Sequence, residues 1–309
     1  MTTATSTMHA PASPAPDPGP GPQPAVPVAM SLPGKPLEAE EWIDERVHRP
    51  LAHGLVTLLV HTPITPNQVT LVSALLGVSA CVALVQGIDA PRWRLVAGLL
   101  LFLSVIADCA DGQLARAKRI HSTHGAALDG ISDYVVGGAL TVGGSWFMVK
   151  AEGSAWFILL GVVGLASIAA QVALFDHTKS RYIARLRTGY AEREEDLDKL
   201  EQDRAIAWRE RRLRDALLLW IYLQYTRAQQ ASHAIPAAAD PAAFRAANRG
   251  RMQTWTLLGS GTMFCLAYAA LVAAYFWPPA VAAFFAVRTT VFNLLLVTMR
   301  TLGMRGDSL

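Results

Sequence analysis

Charge is scarce in this sequence. Only 17% of the 309 residues are Asp, Glu, Lys or Arg, where an ordinary soluble domain carries about a quarter. Hydrophobic residues make up 52% and mean hydropathy is +0.29. The apolar residues are gathered in blocks, as in a chain that crosses a membrane. A net charge of +3 leaves too little basic excess to argue for a nucleic-acid partner. Cysteine is nearly absent: Cys81, Cys109 and Cys265 lie singly in apolar stretches, which excludes a disulfide framework and a CxxC metal site. A basic segment followed by an apolar core is missing from the first residues, so no secretory signal is expected.

What is present changes character along the chain. Residues 1–36 are rich in Pro, Ala and Gly, as in Ala10-Pro11-Ala12-Ser13-Pro14. Such a run supports neither helix nor sheet and reads as a disordered cytosolic tail. In residues 37–61, Trp42, Ile43, Val47, Leu51, Leu55 and Leu58 recur at helical spacing against Glu38, Glu40, Glu41, Asp44, Glu45 and Arg46. An amphipathic juxtamembrane helix is expected there, bent or interrupted at Pro50, lying on the membrane or on the protein's own cytosolic face.

Thr65-Pro66-Asn67-Gln68 then has the composition of a capping box with Pro in the first helical position. Six apolar runs follow, over about 65–85, 94–110, 128–148, 156–174, 255–275 and 281–302, each close to the ~20 residues that cross a bilayer. The expected fold is an all-α integral membrane protein with six transmembrane helices and an N-terminal amphipathic surface helix. Residues 62–176 form the membrane core with spans one to four. Residues 177–253 form a cytosolic helical insertion, and 254–309 hold spans five and six and a C-terminal tail. Arg116, Lys118 and Arg119 follow span two; Lys179, Arg181, Arg185 and Arg187 follow span four; Arg300 and Arg305 follow span six. The positive-inside rule places these ends, and both termini, in the cytosol of a multi-pass inner-membrane protein. Arg92 and Arg94, in the first outer loop, run against it.

Within the apolar region, charge concentrates in one place. Asp108 and Asp111 are three apart and share a face at the end of span two. Gly125, Asp129 and Asp133 are spaced by four and form a stripe at the start of span three. Two antiparallel helices joined by a short basic turn bring four carboxylates together at the membrane surface. Four such groups repel one another's ionised forms. Divalent cations resolve the conflict, and oxygen ligands suit Mg²⁺ or Mn²⁺. Two ions ~3.5–4 Å apart would clamp a phosphate while an alcohol attacks in line. Gly112 and Gly125 leave room for a nucleotide against the helix backbone, and Arg116 lies one turn beyond Gly112, within reach of a phosphate. A purely structural reading pairs the aspartates with Arg116, Lys118 and Arg119 to close the turn. It accounts for any two of them, but not for all four with two glycines and an arginine at fixed offsets.

The pattern D-x-x-D-G-x-x-A-R, eight residues, then G-x-x-x-D-x-x-x-D resembles the signature of the CDP-alcohol phosphotransferase (CDP-alcohol phosphatidyltransferase) family. Asp108, Asp111, Gly112, Ala115, Arg116, Gly125, Asp129 and Asp133 match it without departure. The resemblance covers about residues 65–176 and extends to the last two spans only by their number. It implies a transferase of phospholipid biosynthesis that joins a CDP-linked donor, CDP-diacylglycerol foremost, to a polar alcohol and releases CMP. It also implies a cytosol-facing site, membrane-lipid surroundings and a homodimer. By that resemblance Asp108, Asp111 and Asp129 hold the metals. Asp133 takes the proton from the acceptor and also touches a metal, and Gly112, Ala115, Arg116 and Gly125 line the cytidine diphosphate site.

Alternatives within and outside the family remain. An aminoalcohol phosphotransferase would use CDP-choline or CDP-ethanolamine with diacylglycerol. A membrane prenyltransferase would carry a second Asp-rich motif after Asp176, and none is seen. A transporter would carry repeated halves and mid-membrane breaks, which the sequence also lacks. Lys179 and Arg181 read as cytosolic anchors, with an acceptor phosphate as the alternative; His121 and His124 read as a solvated turn. Asn67 is divided between helix capping and the nucleotide cleft. Arg288, inside span six, is expected to pair within the bundle.

Overall fold

The computed structural model describes residues 36–120, 123–186, 197–230 and 237–305. Side chains of 123–127, 129–130, 218, 221–222, 224–226 and 228–230 fall outside that description. The Pro-rich tail and His121 also lie outside it. All described secondary structure is helical: α1 (Arg49–Leu59), α2 (Pro66–Gln86), α3 (Arg92–Ala117), α4 (Thr123–Glu152), α5 (Trp156–Leu186), α6 (Leu197–Arg209), α7 (Leu213–Gln230), α8 (Pro241–Trp255), α9 (Ser260–Ala273) and α10 (Ala280–Leu302). Helices α2, α3, α5 and α10 are each long and apolar enough to cross a membrane, and α8 with α9 passes the same test as a pair bent by 45°. The chain is thus a multi-pass helical membrane protein with four or five spans on length and composition alone. Helix α4 has the length, 30 residues, but carries the aspartate stripe. Helix α9 has 14 residues, a rise of only ~21 Å.

The start of α2 forms as its residues dictate. The Gln68 N–H donates to Thr65 Oγ1 at 3.3 Å while the Thr65 N–H donates to Gln68 Oε1 at 2.9 Å, and Pro66 takes the first helical position. Helices α2 and α3 then pack closely. Ser73 Oγ donates to the Ser104 carbonyl at 3.0 Å, and Ser104 Oγ returns the bond to the Ser73 carbonyl at 2.8 Å. At Gly77 a Cβ would stand 2.5 Å from Val136 Cγ2, so the absent side chain lets α4 close on the same pair. The main core gathers Leu84, Leu101, Leu140, Phe147, Phe264 and Phe285 from α2, α3, α4, α9 and α10. Arg94, on the outer side by charge counting, is buried: its Nε donates to the Gly87 carbonyl at 2.7 Å and its Nη1 to the Ala274 carbonyl at 2.9 Å. It ties the ends of α2 and α9, which accounts for a cation against the charge rule.

Two local expectations change. Proline has no N–H and its ring presses on the carbonyl four residues back, so a bend or an interruption is expected at Pro50, and the helix is not interrupted there. Instead the helix widens to a π turn over Asp44–His48, with the Arg49 N–H donating to the Asp44 carbonyl, and continues through Pro50 into α1. This helix packs on the protein itself: Ala52 and Val56 sit against Val69, Ile106, Ala110 and Leu114. The run expected as one span over 255–275 is broken at Gly259, between a 3₁₀ turn and the first turn of α9. The cap on α9 comes from far away in sequence. The Glu41 carboxylate accepts from the Thr262 N–H at 2.6 Å, from Thr262 Oγ1 at 2.9 Å and from the Gly261 N–H at 3.2 Å. A Cβ on Gly259 would collide with that carboxylate.

Candidate active site

The last three turns of α3 and the first three turns of α4 place the signature residues. Successive turns of α3 put Ser104, Asp108 and Asp111 on one face, spaced by four and three. Asp108 and Asp133 line a single cavity of about 50 Å³. Its other walls combine polar groups, Ser73 of α2, Ser104 of α3, Ser260 of α9 and Asp44 of the N-terminal segment, with Cys109, Gly261 and the apolar side chains of Val105, Val136 and Phe264. The volume matches one or two waters or ions, a water's share of liquid being ~30 Å³. It is far below the ~300–1,000 Å³ of a pocket for a whole organic ligand.

Asp111 is 4% exposed and turned toward α2, where Thr70 Oγ1 donates to its Oδ2. Asp129 lies in α4 one turn before Asp133, and its side chain is among those outside the description, as are those of Gly125 and His124. Arg116 folds back over Gly112: a Cβ there would lie 3.6 Å from Arg116 Nη1. Ala115 is half-buried on the same turn. Lys118, a candidate partner in the purely structural reading, donates instead to the Thr62 and Ile64 carbonyls at 2.6 and 2.7 Å, holding the lead into α2 against the end of α3.

The acidic residues around the cavity divide by environment. Asp44 Oδ1 is held at 2.7 Å by His48 Nδ1, whose Nε2 lies 3.3 Å from the Tyr268 hydroxyl. Burial, then the charge of Asp44, pushes the Glu41 carboxyl up to about 7 against the hydrogen bonds from Thr262. Burial also works to raise Glu38. Hydrogen bonds from Arg245 and Tyr182 outweigh it and hold Glu38 below the usual carboxylate range. Glu40 pairs with Arg49 and, at 3.8 Å, with Lys179. Lys179 is thereby engaged by the N-terminal segment. Asn67 is exposed at the start of α2 and lines no part of the cavity. Arg288 is wholly buried, stacked 4.3 Å from the Phe292 ring centroid, and its guanidinium hydrogen-bonds to nothing among the described residues. The expected polar pairing is therefore a cation–π contact.

Thr70, Ser73, Ser104 and Asp44 were not singled out from sequence. Ser104 was within reach of that reading, one turn before Asp108. Asp44 was hidden among the charged residues on the polar face of its segment.

Three carboxylates and three serine hydroxyls thus share a small cavity between α3 and α4, and such oxygen donors suit a hard cation. Comparison with known proteins agrees. Residues 63–192 match the family model described as CDP-alcohol phosphatidyltransferase, and the chain carries a domain of that family. A bifunctional IPC transferase and DIPP synthase of Thermococcus kodakarensis is 37% identical over 98 residues, 32% of this chain and 21% of that protein. A phosphatidylinositol phosphate synthase of Corynebacterium glutamicum is 36% identical over 100 residues, 32% of this chain and 43% of that protein. The chain thus spans less than half the length of these curated relatives. The family is one of transferases of substituted phosphate groups and is in general dependent on a divalent metal. The oxygen donors of Asp108 and Asp133 fit such an ion. Among the described residues no three carboxylate, imidazole or thiol groups converge as one ligand set, with Asp129 outside the description.

Proposed function

We propose that this protein transfers a phosphatidyl-type group from a CDP-linked lipid, CDP-diacylglycerol foremost, to the hydroxyl of a polar alcohol, releasing CMP. The observation that carries this reading is that Asp108 and Asp133, from the two halves of the signature, line one cavity between α3 and α4. Asp108, Asp111, Asp129 and Asp133 would hold Mg²⁺ or Mn²⁺, two ions by the number of carboxylates. When bound, these ions would neutralise the diphosphate and stabilise the departing CMP. Arg116 steadies the diphosphate by charge-assisted hydrogen bonds, and Gly112, Ala115 and Gly125 keep the helix surface low enough for the cytidine. Asp133 accepts the acceptor's proton as the new phosphoester bond forms. The name of the Corynebacterium relative, a phosphatidylinositol phosphate synthase, favours an inositol phosphate acceptor over an aminoalcohol.

The same reading has six spans, with α4 and the α8–α9 pair completing the four, the cavity facing the cytosol of the inner membrane, and a homodimer. Its test is direct. Purified protein is incubated with CDP-diacylglycerol, or with CDP-choline and diacylglycerol, and a panel of polar alcohols including inositol and its phosphates. CMP and new lipid are then measured. Stoichiometric CMP and phospholipid from one alcohol is the expected result. CMP from neither donor with any acceptor would overturn the assignment.

A further inference from the structure

The hairpin of α6 and α7 is built with one apolar edge too many. Leu200 and Ala207 of α6 bury against Ala216, Leu219 and Leu223 of α7, which is the stripe that closes the pair. At ~100° per residue, Leu213, Leu217 and Trp220 form a second stripe, about a quarter turn from the first. That stripe is bare: these residues are 59%, 57% and 49% exposed, and Trp208, at the end of α6, is 67% exposed. The turn that joins the helices is tightly closed. The Arg212 N–H donates to the Ala207 carbonyl at 2.9 Å and the Arg211 N–H to the Trp208 carbonyl at 3.1 Å, with Arg211 left-handed at φ 55. Trp208 and Leu213 thus flank this turn, one at the end of α6 and the other at the start of α7.

Charge around this tip is net positive, four arginines against two acids. Both acids are taken up by Arg212, which pairs with Glu210 at 2.8 Å and Asp215 at 3.0 Å. Arg209, Arg211 and Arg214 are exposed beside the tryptophan and leucines. The hairpin is also joined to the helical bundle, because α7 packs against α4. We infer that the tip and outer stripe of this hairpin, Trp208, Leu213, Leu217 and Trp220 with Arg209, Arg211 and Arg214, dock on the anionic headgroup layer of the bilayer. Aromatic and leucine side chains enter the headgroup–acyl boundary while arginines meet lipid phosphates, the division of labour of an interfacial amphipathic helix. A second copy of the chain fits worse. A twofold contact places a patch against itself, and here it would bring the same three arginines face to face.

The full-length protein tests this in vesicles. With Cys81, Cys109 and Cys265 replaced by serine, an environment-sensitive fluorophore is placed at L217C, or at Q202C on the face of α6 away from the stripe. Each protein is reconstituted in phosphatidylcholine with or without phosphatidylglycerol. The label at position 217 should be quenched by nitroxide-bearing lipid, and be several-fold less accessible to aqueous iodide than the label at 202. Phosphatidylglycerol should strengthen both effects, and the combined R209Q, R211Q and R214Q variant should lose that strengthening. Equal iodide quenching at both positions on anionic vesicles would overturn the inference. So would protection of position 217 in detergent accompanied by cross-linking between chains, which would assign the stripe to self-association. The unmodified protein gives a second reading: tryptic cleavage at Arg209, Arg211 and Arg214 should slow on phosphatidylglycerol vesicles, and an unchanged rate would count against docking.

Discussion

The N-terminal segment and the α3–α4 pair are both rich in carboxylates, yet they use them in opposite ways. Glu38, Glu40 and Glu41 are each buried and each matched to a particular partner. Glu38 takes a two-point hydrogen bond from Arg245 and a third bond from the Tyr182 hydroxyl at 2.8 Å. Glu40 takes Arg49 and Lys179, and Glu41 takes the first amides of α9, where a helix dipole favours negative charge. These three fasten four elements together. Asp108 and Asp133 instead line one cavity from two different helices, where carboxylate oxygens could hold a hard cation. Asp44 belongs to the fastening segment by sequence and to the cavity by position. A carboxylate's role is thus read from what converges on it, more than from its burial.

The largest effect that would sharpen this contrast is metal removal. Excess EDTA should abolish CMP formation and Mg²⁺ or Mn²⁺ should restore it, while thermal unfolding of the fastening segment, followed in the same sample, should shift little. Full turnover in EDTA would erase the distinction between the two carboxylate groups. Next is Asp133→Asn, expected to lower the single-turnover rate ~10²–10⁴-fold, the usual contribution of a positioned base, with nucleotide affinity nearly kept. If Mn²⁺ affinity falls as steeply as in Asp129→Asn, Asp133 serves mainly as a ligand.

Much of this division was legible in the sequence. The offsets between Asp108, Asp111, Gly112 and Arg116 follow from helix geometry alone, so α3 could be drawn with its acidic face before any tertiary contact was known. The Thr65–Gln68 cap is likewise local. What escaped is long-range. Gly259-Ser260-Gly261 is a local breaker signal, but the carboxylate that caps α9 comes from Glu41 at the other end of the chain. Pro50 signals an interruption by its own chemistry, and only the π turn upstream removes the clash. Asp44 was one of six charged residues on the polar face of its segment, and although packing on the protein's own face was one expectation, nothing local shows that this carboxylate lines the cavity.

Glu41 provides a smaller, stability-based test. With its pKa raised to about 7 in the folded state, from an ordinary value near 4.5, the folded protein holds a proton that the unfolded chain releases. Its contribution is fully present below ~4.5 and is lost as pH rises through ~7. The charges around it are Asp44, Lys179 and, more distantly, Arg288. Glu41→Gln keeps an acceptor for the Thr262 amide and removes the titration, so the melting temperature of detergent-purified protein should stop falling over that window. Glu41→Ala should destabilise at every pH by about 1–3 kcal/mol, the cost of a lost cap with its amides left buried.

Glu38, three residues away, should give the smallest change and the opposite sign. Its pKa is lowered because hydrogen bonds from Arg245 and Tyr182 favour the charged form against burial. The unfolded chain therefore binds the proton more readily than the folded one. The stability that Glu38 contributes is present above ~4.5 and drains away as pH falls through its depressed value. Arg245 is about half exposed, so solvent weakens the pair and the loss should be modest. Melting temperatures of the parent, Glu38→Gln and Glu41→Gln proteins, taken from about pH 2 to 9 in steps, separate the two. Glu38→Gln should flatten only the acid limb and Glu41→Gln only the limb near neutrality. If both substitutions flatten the same limb, the two carboxylates titrate as one group, and the segment is held by a shared charge network instead of separate fastenings.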